Sequence, residues 1–301
     1  MRVFIVGGTG FVGVNLANRL RARGDEVTVL GHVPGRPRGL DPEVSVVVGD
    51  ATVGGDWQER IAGHQAVVNL AGASIFTRWN EKTKKLIRYS RILTTRNLVA
   101  ALPLSGGVTL ISTSAVGYYG FHGDEELGED SGPGADFLAR LCVDWEAEAL
   151  RARERGARVA IARFGIVLGP GGGVLGHMAP IFRAFIGGPL GSGRQWFSWI
   201  HVDDLFGALV HLAGRPESSG PYNLTAPEPV TNRRLTRELG RVLHRPAFLP
   251  APGFAVRLVL GEFGETLLEG QRVLPRRLLA EGFRFAHPGF AAALEDLAPS
   301  L

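Results

Sequence analysis

Three glycines near the start of the chain have the spacing of a phosphate-binding turn. Gly7, Gly10 and Gly13 form a G-x-x-G-x-x-G pattern directly after a short run of β-branched and aromatic residues. In this pattern the first glycine permits a tight turn, the second lets a pyrophosphate approach the backbone, and the third lets the next helix pack against the strand. The N-terminal end of that helix favours an anion. The pattern therefore predicts a dinucleotide site, and a purely structural glycine turn is the alternative.

The residues after the second predicted strand distinguish between the two nicotinamide dinucleotides. A site for NAD(H) commonly has an acidic residue there, which binds the ribose 2′-hydroxyl. This chain has Gly31 and His32 instead, followed by Arg36 and Arg38. An acidic group would repel a 2′-phosphate, whereas histidine or arginine pairs with one. We therefore predict NADP(H) as the cofactor, and the alternative is that the two arginines are only solvated loop charges.

Alternating strand and helix patterns position these residues. Alternation with short connections is typical of a doubly wound parallel sheet, so we predict an α/β fold of the Rossmann type. The predicted NADP(H)-binding domain covers residues 1–168, with its sheet completed by part of 198–226. Residues 169–301, where glycine, proline and aromatic residues break the pattern, are predicted to form a smaller C-terminal substrate lobe. The predicted strands cover 2–6, 26–30, 44–48, 66–70, 108–112 and 159–163, and the predicted helices include 81–101 and 137–155.

Composition argues against several classes of function. The net charge is +4 and the basic residues are scattered, so we expect no nucleic-acid partner. The sequence contains no run of ~18 apolar residues that would span a membrane. Its single cysteine, Cys142, cannot form an internal disulfide and fits a reducing compartment. We expect a cytoplasmic protein with an unknown small-molecule substrate and no membrane partner, and a homodimer is left open.

Further motifs follow the glycine turn in an order that indicates a family. They are Asn-Leu-Ala-Gly at residues 69–72, Ser-Thr-Ser-Ala at 112–115 and His-Val-Asp-Asp at 201–204. With them the chain resembles the extended short-chain dehydrogenases/reductases. Segments 114–120, 144–146, 165–170, 187–193, 199–201 and 270–275 narrow the resemblance to the atypical NAD(P)-dependent epimerase-like branch, often labelled nucleoside-diphosphate-sugar epimerase or cell-division-inhibitor-like. The resemblance spans nearly the whole chain and implies a Rossmann domain that binds NADP(H), with a small C-terminal lobe.

The turn and these motifs together predict a set of cofactor contacts. Asp50 follows the third strand and is placed to meet the adenine, and residues 70–72 offer a wall of small side chains. Arg91 occupies a family position that faces the cofactor groove, where it is expected to bind cofactor phosphates or a substrate acid; a surface ion pair is the alternative. The predicted cofactor-binding residues are Gly7, Thr9, Gly10, Phe11, Val12, Gly13, Gly31, His32, Arg36, Asp50, Ala51, Leu70, Ala71, Gly72, Arg91, Ser112 and Val167.

The residues expected to perform the chemistry depart from the family pattern. The resemblance implies a Ser or Thr together with a Tyr-x-x-x-Lys pair, in which lysine lowers the tyrosine pKa and tyrosine exchanges a proton with the substrate. Ser114 matches the first position, but the window for the pair runs from Leu138 to Cys142, so both partners are missing. We predict that Ser114 polarises the substrate oxygen and that Tyr118, or water, supplies the proton. The alternatives are that Ser114 caps the loop and that Tyr118 packs under the lobe.

Two further departures concern the substrate. The asparagine that the resemblance implies near residue 166 is Ile166, and the arginine that would bind a nucleotide-sugar pyrophosphate is Phe197. Each missing group removes charge-assisted contacts worth ~1.5–3 kcal/mol, which disfavours a nucleotide sugar. We predict an NADP(H)-dependent oxidoreductase or epimerase-like enzyme acting on an unknown small carbonyl or alcohol. The alternative is a catalytically silent NADP(H)-binding protein with a redox-sensing or regulatory role.

His201 and the aromatic residues near it allow two interpretations each. His201, Asp203 and Asp204 have the side chains of a metal site, but the sequence shows no third ligand group at a suitable spacing. We predict a structural role for His201 and no metal. Trp196, Phe197 and Trp199 form either an apolar wall for the substrate or the core of the lobe.

Overall fold

A seven-stranded parallel sheet forms the centre of the computed structural model, which describes residues 1–104 and 106–301. The apolar, β-branched runs of the sequence form its strands because both faces of a parallel sheet are buried under helices. The strands of the chain are β1 (Arg2–Val6), β2 (Glu26–Gly31), β3 (Ser45–Val48), β4 (Ala66–Asn69), β5 (Thr109–Ala115), β6 (Glu126–Leu127), β7 (Arg158–Phe164), β8 (Ile166–Leu168), β9 (Trp196–Phe197), β10 (Trp199–His201), β11 (Gly220–Leu224), β12 (Val230–Thr231) and β13 (Arg272–Val273).

The order of the central sheet is β11-β7-β5-β4-β1-β2-β3. From β1 the chain first builds outward on one side, through β2 and β3, and then on the other side from β4. The strand order therefore reverses between β1 and β4. Ligands of doubly wound sheets bind in the crevice outside the carboxyl ends of the strands at such a point. The predicted Rossmann-type fold is confirmed.

Helices cover both faces of the sheet. One apolar cluster joins α1 (Phe11–Ala22) and α5 (Val202–Gly214) to one face, and a second joins α2 (Glu81–Ala101) and α3 (Phe137–Leu150) to the other. The helices are α1 (Phe11–Ala22), α2 (Glu81–Ala101), α3 (Phe137–Leu150), α4 (Gly173–Arg183), α5 (Val202–Gly214), α6 (Asn232–Leu243), α7 (Gly253–Leu260), α8 (Glu262–Leu268), α9 (Arg276–Ala280) and α10 (Phe290–Leu297). Within the described ranges, no helix is both long enough and apolar enough to cross a membrane.

Several element boundaries differ from those predicted. β5 continues to Ala115 rather than ending at residue 112, because its last residues pair with β7 as far as Phe164. The predicted helix over 137–155 ends at Leu150 and is followed by a 3₁₀ turn, Arg151–Arg155, closed by Gly156 at φ +77°. β11, from the segment 198–226, lies beside β7 at the edge of the sheet. The division into domains at residue 168 stays a prediction.

The later elements cover the carboxyl edge of the sheet. The short strand pairs β8 with β10 and β6 with β13 connect the earlier and later parts of the chain, and β9 pairs with β12 within the later part. A separate apolar cluster, which includes Phe182, Trp199 and Phe290, forms the interior of these elements. A space for a ligand is left between them and the sheet.

Candidate functional site

The turn after β1 has no room for side chains at two of its three glycines. Gly7 has φ +77°, and a Cβ added there would lie 2.8 Å from the backbone nitrogen of Ala71. A Cβ on Gly13 would lie 2.5 Å from the carbonyl oxygen of Gly7. The first glycine is therefore required by the turn and by the end of β4, and the third by the packing of α1 on the turn.

Gly10 differs, because the protein itself does not fill the space beside it. A Cβ at Gly10 would meet only the Gly7 carbonyl oxygen, at 3.5 Å, an ordinary contact, and its φ of −81° suits any residue. As the N-cap of α1 it provides no side-chain cap, and the first turn of the helix has no acidic residue. The helix amides are thus left for another acceptor. This bare helix end fits a pyrophosphate.

Two contacts shape the groove around the turn. The Thr9 side chain packs on Gly31, where an added Cβ would lie 2.3 Å from the Cγ2 of Thr9. The Phe11 ring packs on the loop after β8, where a Cβ on Gly172 would lie 2.7 Å from the ring. The sequence prediction did not include the glycines of this loop. They are needed because Phe11 approaches them so closely.

At the predicted 2′-phosphate site, Arg36 has different hydrogen-bond partners from those expected. The guanidinium of Arg36 donates to the carbonyl oxygens of Asp41, at 2.6 Å, and Val44, at 3.0 Å. It therefore holds its own loop rather than extending into the groove, whereas His32 is exposed at the end of β2. The Asp50 carboxylate accepts hydrogen bonds from the backbone and hydroxyl of Thr52, which lower its pKa, and His32 lowers it further.

Arg91 lies against the wall of small residues after β4. A Cβ on Gly72 would lie 3.0 Å from the guanidinium carbon, so the missing side chain makes room for the cation. The guanidinium donates to the carbonyl oxygens of Ala73 and Ile87, both at 3.1 Å, and burial lowers its pKa. Among the residues that the structure describes, it has no carboxylate within salt-bridge distance. The predicted alternative of a surface ion pair is thus not what the structure contains.

Ser112 is fully buried within β5. Its hydroxyl has no hydrogen-bond partner in the described part of the chain. Because the whole residue is buried between β4 and β7, its predicted contact with the cofactor stays a prediction.

Ser114 is the centre of a buried polar network. Its hydroxyl donates to the Glu146 carboxylate at 2.7 Å, and the same carboxylate accepts two hydrogen bonds from Arg163, each at 2.8 Å. All three side chains are buried. Burial alone would lower the Arg163 pKa, but the hydrogen bonds and charge of Glu146 outweigh it and raise the pKa. The predicted role of Ser114 needs its hydroxyl hydrogen, which Glu146 already accepts.

The two neighbouring tyrosines are tied to the same arginine. The Tyr119 hydroxyl accepts from Arg163 at 2.9 Å and donates to Asn223 at 2.7 Å, and burial raises its pKa to about 12. The face of Tyr118 lies 3.5 Å from the Arg163 guanidinium carbon. Tyr118 is half-buried and is not in the wall of the cavity described below. Its predicted role as proton donor stays a prediction.

Leu138 and Cys142, on α3, take the places of the expected tyrosine and lysine. Leu138 packs on the turn that follows β5, where a Cβ on Gly117 would lie 3.3 Å from it. Cys142 is buried with its sulfur 3.8 Å from the Ala115 carbonyl oxygen, and burial raises its pKa to about 11. The thiol therefore remains protonated, and neither residue supplies the cation that lysine would bring.

A cavity of about 670 Å³ extends from the end of β5 and the start of β8 into the C-terminal elements. Val116 and Ile166 line it at the sheet, and Trp196 and Phe197 line it at β9. These two aromatic residues form a wall, whereas Trp199 is fully buried and packs on Phe290, 5.1 Å between ring centroids. Trp196 thus lies in the wall and Trp199 in the core, and Phe197, which is 8% exposed and in the same apolar cluster as Trp199, belongs to both.

His201 is the N-cap of α5. Its Nδ1 accepts from the backbone nitrogen of Asp203 at 3.1 Å, and its ring lies 3.8 Å from that of His287. His287 and Asp296 together with His201 supply the set of three ligand-type groups that the sequence did not show. Because Nδ1 accepts a hydrogen bond, Nε2 of a neutral ring carries the proton, and it points toward Asp296 at 3.3 Å. The capping role thus competes with metal binding.

Family models and known proteins with similar sequences match almost all of the chain. Residues 3–225 match the NAD dependent epimerase/dehydratase family, and residues 251–297 match a domain of unknown function, DUF1731. The Arabidopsis thaliana protein "Epimerase family protein SDR39U1 homolog, chloroplastic" is 42% identical over 99% of this chain and 86% of its own length. The human epimerase family protein SDR39U1 is 39% identical over 99% of both chains.

A crystal structure of the human protein SDR39U1, isoform 2, with NADPH superposes on the whole chain. The TM-score is 0.88 at 38% identity, and the match covers 100% of both chains. The "nucleoside-diphosphate sugar epimerase" from Corynebacterium glutamicum is 33% identical with a TM-score of 0.78, over 100% of this chain and 59% of that one.

Proposed function

The chain belongs to the NAD dependent epimerase/dehydratase family, and from this premise we propose that it is an NADP(H)-dependent oxidoreductase acting on a small carbonyl or alcohol. The observation that carries the proposal is the bare N-terminus of α1 at Gly10, on a sheet that also contributes Val116, after the carboxyl end of β5, to the wall of a cavity of about 670 Å³. In the proposed arrangement residues 1–168 bind the cofactor and residues 169–301 enclose most of the substrate.

NADP(H) is the favoured dinucleotide for two reasons. The human relative of similar fold is crystallised with NADPH. In this chain the end of β2 is followed by His32 rather than by an acidic residue, so a 2′-phosphate meets no repulsion there. Arg36 would have to release its two carbonyl partners to take part, so we assign the larger share of the phosphate contact to His32.

When bound, NADPH supplies a hydride to a carbonyl carbon and becomes NADP⁺, while the carbonyl oxygen gains a proton. The residues of this chain position the reactants. Arg91 supplies a cation beside Gly72. Because this cation has no ion-pair partner among the described residues, a ribose or phosphate oxygen of the cofactor can accept its hydrogen bonds. This cation stands in for the missing lysine in the binding of the cofactor, but it does not replace the missing tyrosine.

Ser114 and Tyr118 remain the proposed groups at the substrate oxygen. Ser114 can donate to that oxygen only if its hydroxyl turns away from Glu146. The cost of that rotation is limited, because Arg163 continues to hold the carboxylate with two hydrogen bonds. Tyr118 lies in the short 3₁₀ turn Val116–Tyr119 that follows β5, and water is the other source of the proton.

One set of observations favours a second function, a catalytically silent NADP(H)-binding protein. Leu138 and Cys142 supply neither an acid nor a cation, and the hydrogen of Ser114 is already bonded. Such a protein would bind NADPH and bind a partner in a cofactor-dependent way, with no hydride transfer. A turnover number near the usual ~1–10³ s⁻¹ with any carbonyl would exclude it.

Calorimetric titration with NADPH and NADH tests the cofactor assignment. We expect NADPH to bind at least about tenfold more tightly, since one charge-assisted contact to the 2′-phosphate is worth ~1.5–3 kcal/mol. His32→Asp is expected to remove this preference, because the carboxylate repels the 2′-phosphate of NADPH and can accept a hydrogen bond from the ribose 2′-hydroxyl of NADH. The control His32→Asn has no charge and is expected to retain part of the preference.

In the same titration, Arg91→Gln distinguishes cofactor contacts at the wall after β4 from contacts to the 2′-phosphate at the end of β2. Because Arg91 lies at the wall after β4 rather than at the end of β2, its loss is expected to weaken the binding of NADPH and the binding of NADH by a similar factor. Arg88→Gln, an exposed position on the same helix with a salt bridge to Asp144, is expected to change neither affinity. Equal binding of NADPH and NADH by the unmodified protein would contradict the assignment.

A further inference from the structure

The wall of the cavity is unusually poor in groups that bind charge. As far as the structure describes it, the wall contains no arginine or lysine, and its ionisable side chains are His177 and Glu269, both exposed. The two positions where the family resemblance implied polar contacts, Ile166 and Phe197, both lie in this wall. A substrate with a phosphate or carboxylate would lose its hydration here without gaining a partner.

Three polar side chains of the wall, Ser198, Gln195 and Thr266, are bonded to the protein, although the buried Oε1 of Gln195 has no partner among the described residues. The Ser198 hydroxyl donates to the Gln271 carbonyl oxygen and accepts from the Val273 nitrogen. The Gln195 amide nitrogen donates to two carbonyl oxygens, and the Thr266 hydroxyl donates to the carbonyl oxygen of Phe263. A ligand in the cavity therefore meets mainly hydrocarbon.

The mouth of the cavity has the same character. Five large apolar side chains of the wall are also exposed: Phe76 (40%), Ile181 (46%), Ile186 (56%), Leu249 (50%) and Val259 (66%). They belong to the segment before α2, the end of α4 and the segment after it, residue 249 and α7. The backbone hydrogen bond from Leu249 to Gly187 holds two of these segments side by side. Exposed apolar surface around a deep cavity marks a place where an apolar molecule enters.

We propose that the substrate is an uncharged lipophilic carbonyl or alcohol, whose hydrocarbon part fills this cavity while its reacting carbon lies at Val116 and Ile166. This proposal rests on the proposed function and specifies its substrate class. The volume of about 670 Å³ lies within the range of cavities that enclose a whole ligand of moderate size. The same reasoning disfavours a nucleotide sugar, because the described wall offers its pyrophosphate no arginine or lysine.

A displacement assay with the uncharged fluorophore N-phenylnaphthylamine tests the substrate class without turnover. Butanol, hexanol and octanol compete for the full-length protein, with UDP-glucose as the polar competitor. Each additional buried methylene is expected to increase the affinity about fourfold, so octanol should displace the probe at more than about a hundredfold lower concentration than butanol. UDP-glucose is expected to leave the probe in place.

Two variants assign the displacement to the cavity. Ile181→Glu places a charge at the mouth, and Leu86→Glu makes the same kind of change at an exposed position of α2 (59%) that is not in the wall. We expect Ile181→Glu to weaken the binding of octanol at least about tenfold, and we expect Leu86→Glu to leave it unchanged. Met178→Trp fills part of the cavity from α4, and it is expected to weaken the binding of octanol more than the binding of butanol.

Separate titration with NADPH distinguishes the two proposals. If NADPH binds but displacement is independent of chain length, or UDP-glucose displaces the probe better than octanol, the lipophilic substrate class is wrong. If Ile181→Glu and Leu86→Glu behave alike, the probe is not in this cavity and the class is also wrong. If alkanols compete as expected but NADPH neither binds nor reduces octanal, the proposed function is wrong instead.

Discussion

Gly10→Val is expected to abolish NADPH binding and to leave the fold intact. The space beside Gly10 is free of protein atoms except for one ordinary contact at 3.5 Å, and the backbone there suits a β-branched residue. The valine side chain would occupy the position that the pyrophosphate needs in order to reach the amides of α1. Loss of two such charge-assisted hydrogen bonds, at ~1.5–3 kcal/mol each, weakens binding by at least about a hundredfold.

Calorimetry and thermal unfolding of three variants check this result. Gly132→Val is the matched control, because a Cβ there meets nothing within 4 Å and the residue lies far from the turn in sequence. It should retain both binding and stability. Gly13→Val should instead lower stability, because its Cβ would lie 2.5 Å from backbone atoms of the turn. Unchanged NADPH affinity in Gly10→Val would show that the turn does not hold the pyrophosphate.

Glu146→Leu is expected to lower the free energy of unfolding by about 3–5 kcal/mol. Glu146 is the only carboxylate that the described residues place on Arg163, and the arginine is 3% exposed. Removing the carboxylate leaves a buried cation without a carboxylate partner, and it also leaves the Ser114 hydroxyl without its acceptor. Urea-induced unfolding followed by circular dichroism measures the loss.

A double variant identifies the cause of this loss. Glu146→Leu combined with Arg163→Met replaces the ion pair by apolar side chains, and it is expected to recover most of the stability because the unpaired charge is gone. Glu148→Leu, which removes a carboxylate two residues away that pairs with the exposed Arg96, should cost no more than about 1 kcal/mol. A Glu146→Leu protein as stable as the original would mean that the buried pair does not hold β7 and α3 together.

Local sequence patterns predicted the parts of the site that local geometry determines. The glycine turn depends on backbone conformation and on close approach within a few residues, so the spacing of Gly7, Gly10 and Gly13 was sufficient. The order of strands and helices followed from apolar periodicity for the same reason. The exact ends of β5 and α3 were not predictable, because they depend on pairing with β7 and on Gly156.

The rest of the site depends on residues that only the fold brings together. Glu146 captures the hydroxyl of Ser114 from 32 positions along the chain, and nothing in the spacing of these residues indicates the contact. Arg36 was predicted to face the 2′-phosphate from its charge alone, whereas free backbone carbonyl oxygens in its own loop are closer. The apolar cavity requires α4, α7 and α8 to meet. Its only local signal was the replacement of polar family residues by Ile166 and Phe197.

A crystal structure of the protein grown with NADPH tests the central claim most directly. The expected result is density for the pyrophosphate on the amides at the start of α1, the 2′-phosphate beside His32, and the nicotinamide facing the cavity at Val116 and Ile166. A cofactor bound away from Gly10, or a nicotinamide turned away from the cavity, would contradict the proposal that this site transfers hydride to a lipophilic substrate.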